Sequence, residues 1–163
     1  MQLSDEFKIR PAVNEDSGEI KSLIFGILNE YNLSSDPEST DLDLDDIEGF
    51  YTNKNGLFDV VVNPDGNIIA STGLFWVDET TCELRKMYLL KEYRGMGLGK
   101  FLLNHSIEAA KKLGYKKVVL ETASVLKEAI GLYEKYGFTR YEPEHLSNRC
   151  DQTYYLSIEE ENK

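Results

Sequence analysis

The sequence predicts a mixed α/β (α+β) fold, one sheet with helices packed on its faces. Three observations lead there. Seven short runs have the alternating or continuous apolar pattern of strands, and three longer segments repeat apolar residues at helical spacing. The two kinds are interleaved along the chain in the order β, α, a short α, β, β, β, α, β, α, β, β, which a single layered sheet accommodates. A chain of 163 residues with 41% hydrophobic content fits one domain, residues 1–163, with its own core.

In residues 6–13, Phe7, Ile9, Pro11 and Val13 alternate with Lys8, Arg10 and Ala12, which predicts a first strand despite its proline. Asn14 is placed to cap a helix whose first turn holds Glu15 and Asp16. Its apolar face is Ile20, Leu23, Ile24, Ile27, Leu28 and Tyr31. Residues 32–46 are polar and acidic and read as a loop, followed by a short helix turning Ile47, Phe50 and Tyr51 inward. Phe58 to Val62 and Ile68 to Val77 flank Asn63-Pro64-Asp65-Gly66-Asn67, a turn composition, and so form a hairpin. Asp78 to Thr81 turns the chain again into a strand over Cys82 to Leu90.

Leu98, Phe101, Leu102, His105, Ala109 and Leu113 mark the next helix face, which Gly114 ends; His105 reads as a packed core histidine. Val118 to Leu120 is a short buried strand. Ala129, Ile130, Tyr133 and Tyr136 share a second helix face that stops at Gly137, and Phe138 to Tyr141 and Gln152 to Ile158 close the sheet around a loop over 142–151.

The segment Arg94-Gly95-Met96-Gly97-Leu98-Gly99 lies between a strand and a helix and reads as a phosphate cradle. Glycines let the backbone approach an anion, and the first helical turn offers unpaired N–H groups and a partial positive charge. It is not a Rossmann loop, because the strand before it follows a hairpin and no N-terminal βαβ unit contains it. The charge distribution agrees. Residues 1–82 hold 17 acids and 4 bases, whereas residues 83–163 hold 12 acids and 14 bases, within a net charge of -11. That acidity disfavours nucleic acid as a partner. Nothing reads as a leader or a membrane span, Cys82 and Cys150 have no metal-ligand or CxxC spacing, and His145 has no partner pattern. The expectation is therefore a cytoplasmic protein without a metal or a membrane partner.

Glu83-Leu84-Arg85-Lys86-Met87-Tyr88-Leu89, the glycine loop, and Ala129-Ile130-Gly131-Leu132-Tyr133-Glu134-Lys135-Tyr136-Gly137-Phe138 together resemble the GNAT superfamily of acyl-CoA-dependent N-acyltransferases. The resemblance implies a mostly antiparallel mixed sheet of six to seven strands with helices on both faces. It implies acetyl-CoA as co-substrate, its pyrophosphate held by Arg94, Gly95, Met96, Gly97, Leu98, Gly99 and Lys100, and its pantetheine arm paired with the backbones of Met87, Tyr88 and Leu89. It also implies Tyr133 as the acid that protonates the departing thiolate. A phenol suits this, staying protonated at neutral pH while a thiol leaves as an anion. In one place the chain departs from the pattern: Leu126 stands where many members carry a coenzyme-contacting asparagine, with Ser124 and Lys127 the nearest polar candidates.

An ammonium acceptor must lose a proton before attack, and Glu83 or Glu121, each ending or starting a strand at the thioester, is a candidate base; each also fits a plain ion pair. A backbone N–H near Met87 or Tyr88 suits an oxyanion contact. The expected acceptor is a small-molecule amine or an amino acid. The eight acids from Glu30 to Glu48 favour a cation such as a polyamine, or form a solvated loop; Arg140, Arg149 and Asp151 would instead hold an acceptor carboxylate. A non-catalytic acyl-CoA-binding sensor is the alternative function. A homodimer is compatible with the resemblance, though nothing in the chain specifies one.

Overall fold

In the computed structural model, which describes residues 4–142 and 149–159, β1 (Lys8–Pro11) leads through a single 3-10 turn into α1 (Ser17–Glu30). A second 3-10 turn at Leu42–Asp45 precedes α2 (Ile47–Phe50), and β2 (Leu57–Val62), β3 (Ile68–Trp76) and β4 (Thr81–Leu89) follow. Then come α3 (Leu98–Lys112), β5 (Lys117–Thr122), α4 (Lys127–Tyr136), β6 (Thr139–Tyr141) and β7 (Gln152–Ser157). All seven strands form one sheet in the order β1-β2-β3-β4-β5-β7-β6. Every neighbouring pair is antiparallel except β4 and β5.

Strand periodicity sends alternate residues of β2 to opposite layers. Phe58 and Val60 pack with Ile20, Ile24, Leu28 and Ile47 of α1 and α2, whereas Val61 packs with Leu98 and Leu102 of α3. Leu103, Ile107, Tyr133, Val118 and Tyr154 form a further core between α3, α4 and the β5–β7 half of the sheet. Helices thus cover both faces. Five buried apolar side chains hold α1 to the sheet, each contributing about 1.5–3 kcal/mol. Asn32, in left-handed backbone at φ 59, ends that helix. There Leu33 N–H donates to Leu28 O at 2.8 Å and Asn32 N–H to Asn29 O at 3.1 Å, a Schellman closure with asparagine in the glycine position.

Two expectations are corrected. Asn14 does not cap α1: its side chain donates to Asp46 at 3.1 Å and accepts from Glu48 N at 3.1 Å, tying the chain before α1 to α2. His105 is not a core histidine but a half-buried one, its Nε2 2.7 Å from Asp59 on β2 and its ring stacked on Phe101. His145 and most of the 142–151 loop lie outside the described residues. No helix among the described residues is long and apolar enough to cross a membrane.

Candidate active site

The site arises where the sheet comes apart. Parallel β4 and β5 pair only through Thr81, Cys82 and Glu83 opposite Lys117, Val118 and Val119. Beyond Glu83, β4 carries a bulge against β3: Ser71 faces Tyr88 while Gly73 faces Arg85, so β4 has one residue more than its partner. The extra residue falls at Lys86, in left-handed backbone at φ 57. For a side chain with a Cβ this conformation costs about 1–2 kcal/mol. Several contacts offset it. The Ser71 hydroxyl donates to Lys86 O at 2.7 Å, and the Lys86 ammonium reaches Thr40 O at 3.1 Å, Asp41 at 3.2 Å and Asp43 at 3.3 Å.

A cavity of about 360 Å³ fills the opened wedge. It is lined by Glu83 through Leu89 of β4, by Glu121 at the end of β5, by Leu126, Leu132 and Tyr133, and by Arg94, Gly99, Arg149 and Cys150.

At one end lies the glycine loop. Gly95 and Gly97 have φ of 82 and 88, a region that favours glycine, and Gly97 leads directly into α3. The first helical bond runs from Phe101 N–H to Gly97 O at 3.0 Å. The N–H groups of Leu98, Gly99 and Lys100 are therefore outside the helical ladder, as an anion site requires. A Cβ at Gly99 would come within 3.0 Å of Leu132 on α4, so glycine there lets the two helices approach. This cradle fits a diphosphate. Met96 and Lys100 are exposed and Leu98 is buried. Arg94 lies along the cavity with its guanidinium committed elsewhere. Nε donates to Leu89 O at 3.0 Å and Nη1 to Tyr31 at 3.0 Å, while Nη1 and Nη2 grip Glu30 at 2.6 and 3.1 Å.

Tyr133 is buried on α4 against Phe138 and Tyr154. Phe138 N–H donates to Tyr133 O at 3.0 Å, which anchors the end of the helix. The Tyr133 hydroxyl has no hydrogen-bond partner among the described residues. Burial, with the nearby Tyr88 and Cys150, pushes its phenol well above the usual range, so it stays protonated. Tyr136, its helix neighbour, donates to Asn104 at 3.2 Å and packs into the core. Leu126 opens α4 and lines the cavity, but Ser124 is taken up by Asp151 through both its N–H and its hydroxyl, and Lys127 is exposed.

On the other side of the wedge, Glu83 and Arg85 stand two residues apart, so β4 presents both on one face, away from Leu84 in the α3 core. Arg85 Nε donates to Glu83 Oε1, and the guanidinium lies 3.7 Å over the Phe75 ring. Burial raises the Glu83 carboxyl above the ordinary carboxylate range, partly opposed by Arg85. Glu121 lines the same cavity and its charge acts on Glu83.

The acidic stretch is only in part a solvated loop: Glu38, Asp45 and Asp46 are exposed, whereas two of its acids are not. Asp41 and Asp43 are buried beneath the cavity, and Arg149 grips Asp41 in a fork at 2.7 and 2.8 Å. Burial pushes the Asp41 carboxyl up, but bonds from Arg149 and the Asp36 backbone and the charge of Lys86 hold it down at about 2. Tyr51, fully buried, donates to Asp43, while Asp45 pairs with Lys21 and Asp46 caps α2. By sequence, Glu83 is a candidate base, but Arg85 and Lys86 are assigned no role of their own in the site. The extra residue of a bulge is invisible in one strand, and Thr40, Asp41 and Asp43, which hold the Lys86 ammonium, lie more than forty positions from it.

Comparison with known proteins agrees with this geometry. Residues 24–138 match the acetyltransferase (GNAT) family. YjgM of Escherichia coli K12, named an uncharacterized N-acetyltransferase, is 36% identical over 150 residues, 89% of this chain and 86% of that protein. A GNAT-family acetyltransferase from Staphylococcus aureus Mu50 has the same fold with a TM-score of 0.87 at 27% identity, over 94% of this chain and 99% of its own. The protein yncA of Salmonella typhimurium, solved with its cofactor acetyl-CoA, shares the fold with a TM-score of 0.75 at 19% identity over 98% of each chain. The split sheet, the glycine loop at the start of α3 and these likenesses together place the chain in the GNAT acetyltransferase family, as an acyltransferase.

Proposed function

We propose that this protein transfers an acetyl group from acetyl-CoA directly to the primary amine of a small molecule or amino acid, within a ternary complex. The observation that carries this reading is that Glu83 and Tyr133 line one cavity, a carboxyl of raised pKa and a phenol held protonated. The free N–H groups of Leu98, Gly99 and Lys100 would hold the diphosphate and the backbone of Met87, Tyr88 and Leu89 the pantetheine arm. Acetyl-CoA, when bound, supplies an activated acetyl group on a sulfur able to leave.

The chain's own groups handle the protons. Glu83 takes one from the acceptor ammonium, and its raised pKa makes it a better base than an exposed carboxylate. Tyr133 holds one at its hydroxyl for the departing sulfur. Arg94, bound to Glu30 and Tyr31, orients the loop against α1 with one Nη2 hydrogen left for a phosphate oxygen. Cys82 and Cys150 are not joined in a disulfide, which suits a reducing compartment, and we place the protein in the cytoplasm.

The test is acetyl-CoA-dependent thiol release across amino acids, polyamines, aminoglycosides and lysine peptides, corrected for acceptor-free hydrolysis. Stimulation by one class is expected. Acetyl-CoA binding with no stimulation by any class would favour a sensor instead.

A further inference from the structure

The cavity holds three cations on its acceptor side, and they differ in what remains for a ligand. The Lys86 ammonium, with a side chain only 5% exposed, is shared among Asp41, Asp43 and Thr40 O. Both Nη atoms of Arg149 are on Asp41. Arg85 is different. Its Nε is on Glu83 and one flat side is covered by Phe75, but Nη1 and Nη2 have no partner among the described residues, and its side chain is 33% exposed while lining the cavity. Beside it, Glu83 uses Oε1 for Arg85 and leaves Oε2 without a hydrogen bond among the described residues.

A guanidinium fixed at Nε and across one face, with its two terminal nitrogens open, is a preorganised fork for a carboxylate. A carboxylate oxygen next to it is a receptor for an ammonium. The two ligand charges must then lie close together, because Glu83 and Arg85 are in contact.

We infer that Glu83 and Arg85 form a receptor for a compact zwitterion, so that the acceptor is an α-amino acid whose carboxylate is read by Arg85 and whose ammonium is placed at Glu83. This rests on the N-acetyltransferase reading above and narrows its substrate class. A polyamine lacks the group that Arg85 is built to hold. It would also leave the two terminal guanidinium nitrogens without a ligand partner, a mismatch by which a site built for a polar group discriminates against analogues lacking it. Of the eight acids that would attract a polyamine electrostatically, four are already ion-paired, Asp41 and Asp43 with the buried cations, Asp45 with Lys21 and Glu30 with Arg94.

The experiment compares matched pairs, each an amino acid and the amine left when its carboxylate is removed, such as ornithine with putrescine. Thiol release is measured as kcat/KM for both members, with wild type, Arg85→Met and Arg85→Lys. Wild type is expected to prefer the amino acid of at least one pair by about 100-fold, equivalent to about 2.7 kcal/mol. Arg85→Met is expected to reduce that ratio to within a few-fold, mainly through KM, and Arg85→Lys to retain part of it, having the charge without the fork. In parallel, the amino acid is titrated by calorimetry into each protein saturated with CoA, where wild type should bind and Arg85→Met should not. Amines acetylated as well as or better than their amino acids would overturn the zwitterion receptor and leave the acetyltransferase standing. If no acceptor releases thiol, the acetyltransferase reading fails, and calorimetry judges the receptor separately: binding lost with Arg85→Met supports it, and no binding to wild type overturns it. The wild-type ratio needs no variant to fold.

Discussion

Lys86 and Asp41 meet at 3.2 Å with side chains 5% and 0% exposed, which fixes the bulge of β4 to the turn after α1. The pair joins local strain to the site. Lys86 keeps its left-handed backbone, and with it the opening between β4 and β5, because its ammonium is held at Asp41, Asp43 and Thr40.

Removing that ammonium should therefore be severe. Lys86→Ala leaves two buried carboxylates with one cation fewer and is expected to lower stability by about 3–5 kcal/mol in urea denaturation. Lys86→Met, which keeps most of the volume, should be little better, and a loss below about 1 kcal/mol would show that the cluster does not hold the bulge.

Asp41 makes the fold acid-sensitive. Its folded pKa of about 2 lies below the ordinary value of 3.8. The stabilisation is therefore fully present above pH 4 and is lost as the pH falls through 4 towards 2. It amounts to about 1–2 kcal/mol after allowing for screening. Asp41→Asn should be less stable than wild type at neutral pH and should lose less on acidification over that window, measured by thermal melts at each pH.

Gly97→Glu places a side chain on a left-handed residue and a negative charge at the start of α3, inside the cradle. Acetyl-CoA affinity by calorimetry should fall at least about 100-fold. Gly97→Ala carries the backbone strain without the charge and should lose distinctly less; equal losses would mean that geometry alone, not an anion, governs the loop.

The raised pKa of Glu83 sets a direction for activity. Deprotonated carboxyl is the working form, so the rate should rise with pH through a value above the ordinary 4.5, and Glu83→Gln should weaken or remove that rise. An unaltered pH profile would leave Glu83 as the ion-pair partner of Arg85 only.

Much of this architecture is legible in the sequence, because period and turn chemistry are local. The α1 face, the Asn63–Asn67 turn, the glycine loop and the Tyr133 helix are all encoded within a few residues. What is not legible depends on distant pairing. Nothing within β4 shows the bulge at Lys86, the acids from Asp41 to Asp46 look like a solvated loop until Lys86, Arg149, Lys21 and the α2 N-terminus are brought to them, and His105 looks apolar until Asp59 arrives from β2. The candidate site divides the same way. Tyr133 and the loop are read from motifs, whereas the open fork of Arg85 is visible only once Phe75 and Glu83 are seen to fix it.

The most direct measurement is single-turnover thiol release by Tyr133→Phe in the presence of an acceptor, with acetyl-CoA affinity and stability determined on the same sample. Since the hydroxyl has no partner among the described residues, its removal should change stability by no more than about 0.5 kcal/mol and leave affinity unchanged. Release should slow by about 100-fold or more. An unchanged rate with intact binding would contradict Tyr133 as the proton donor and the wedge chemistry built on it.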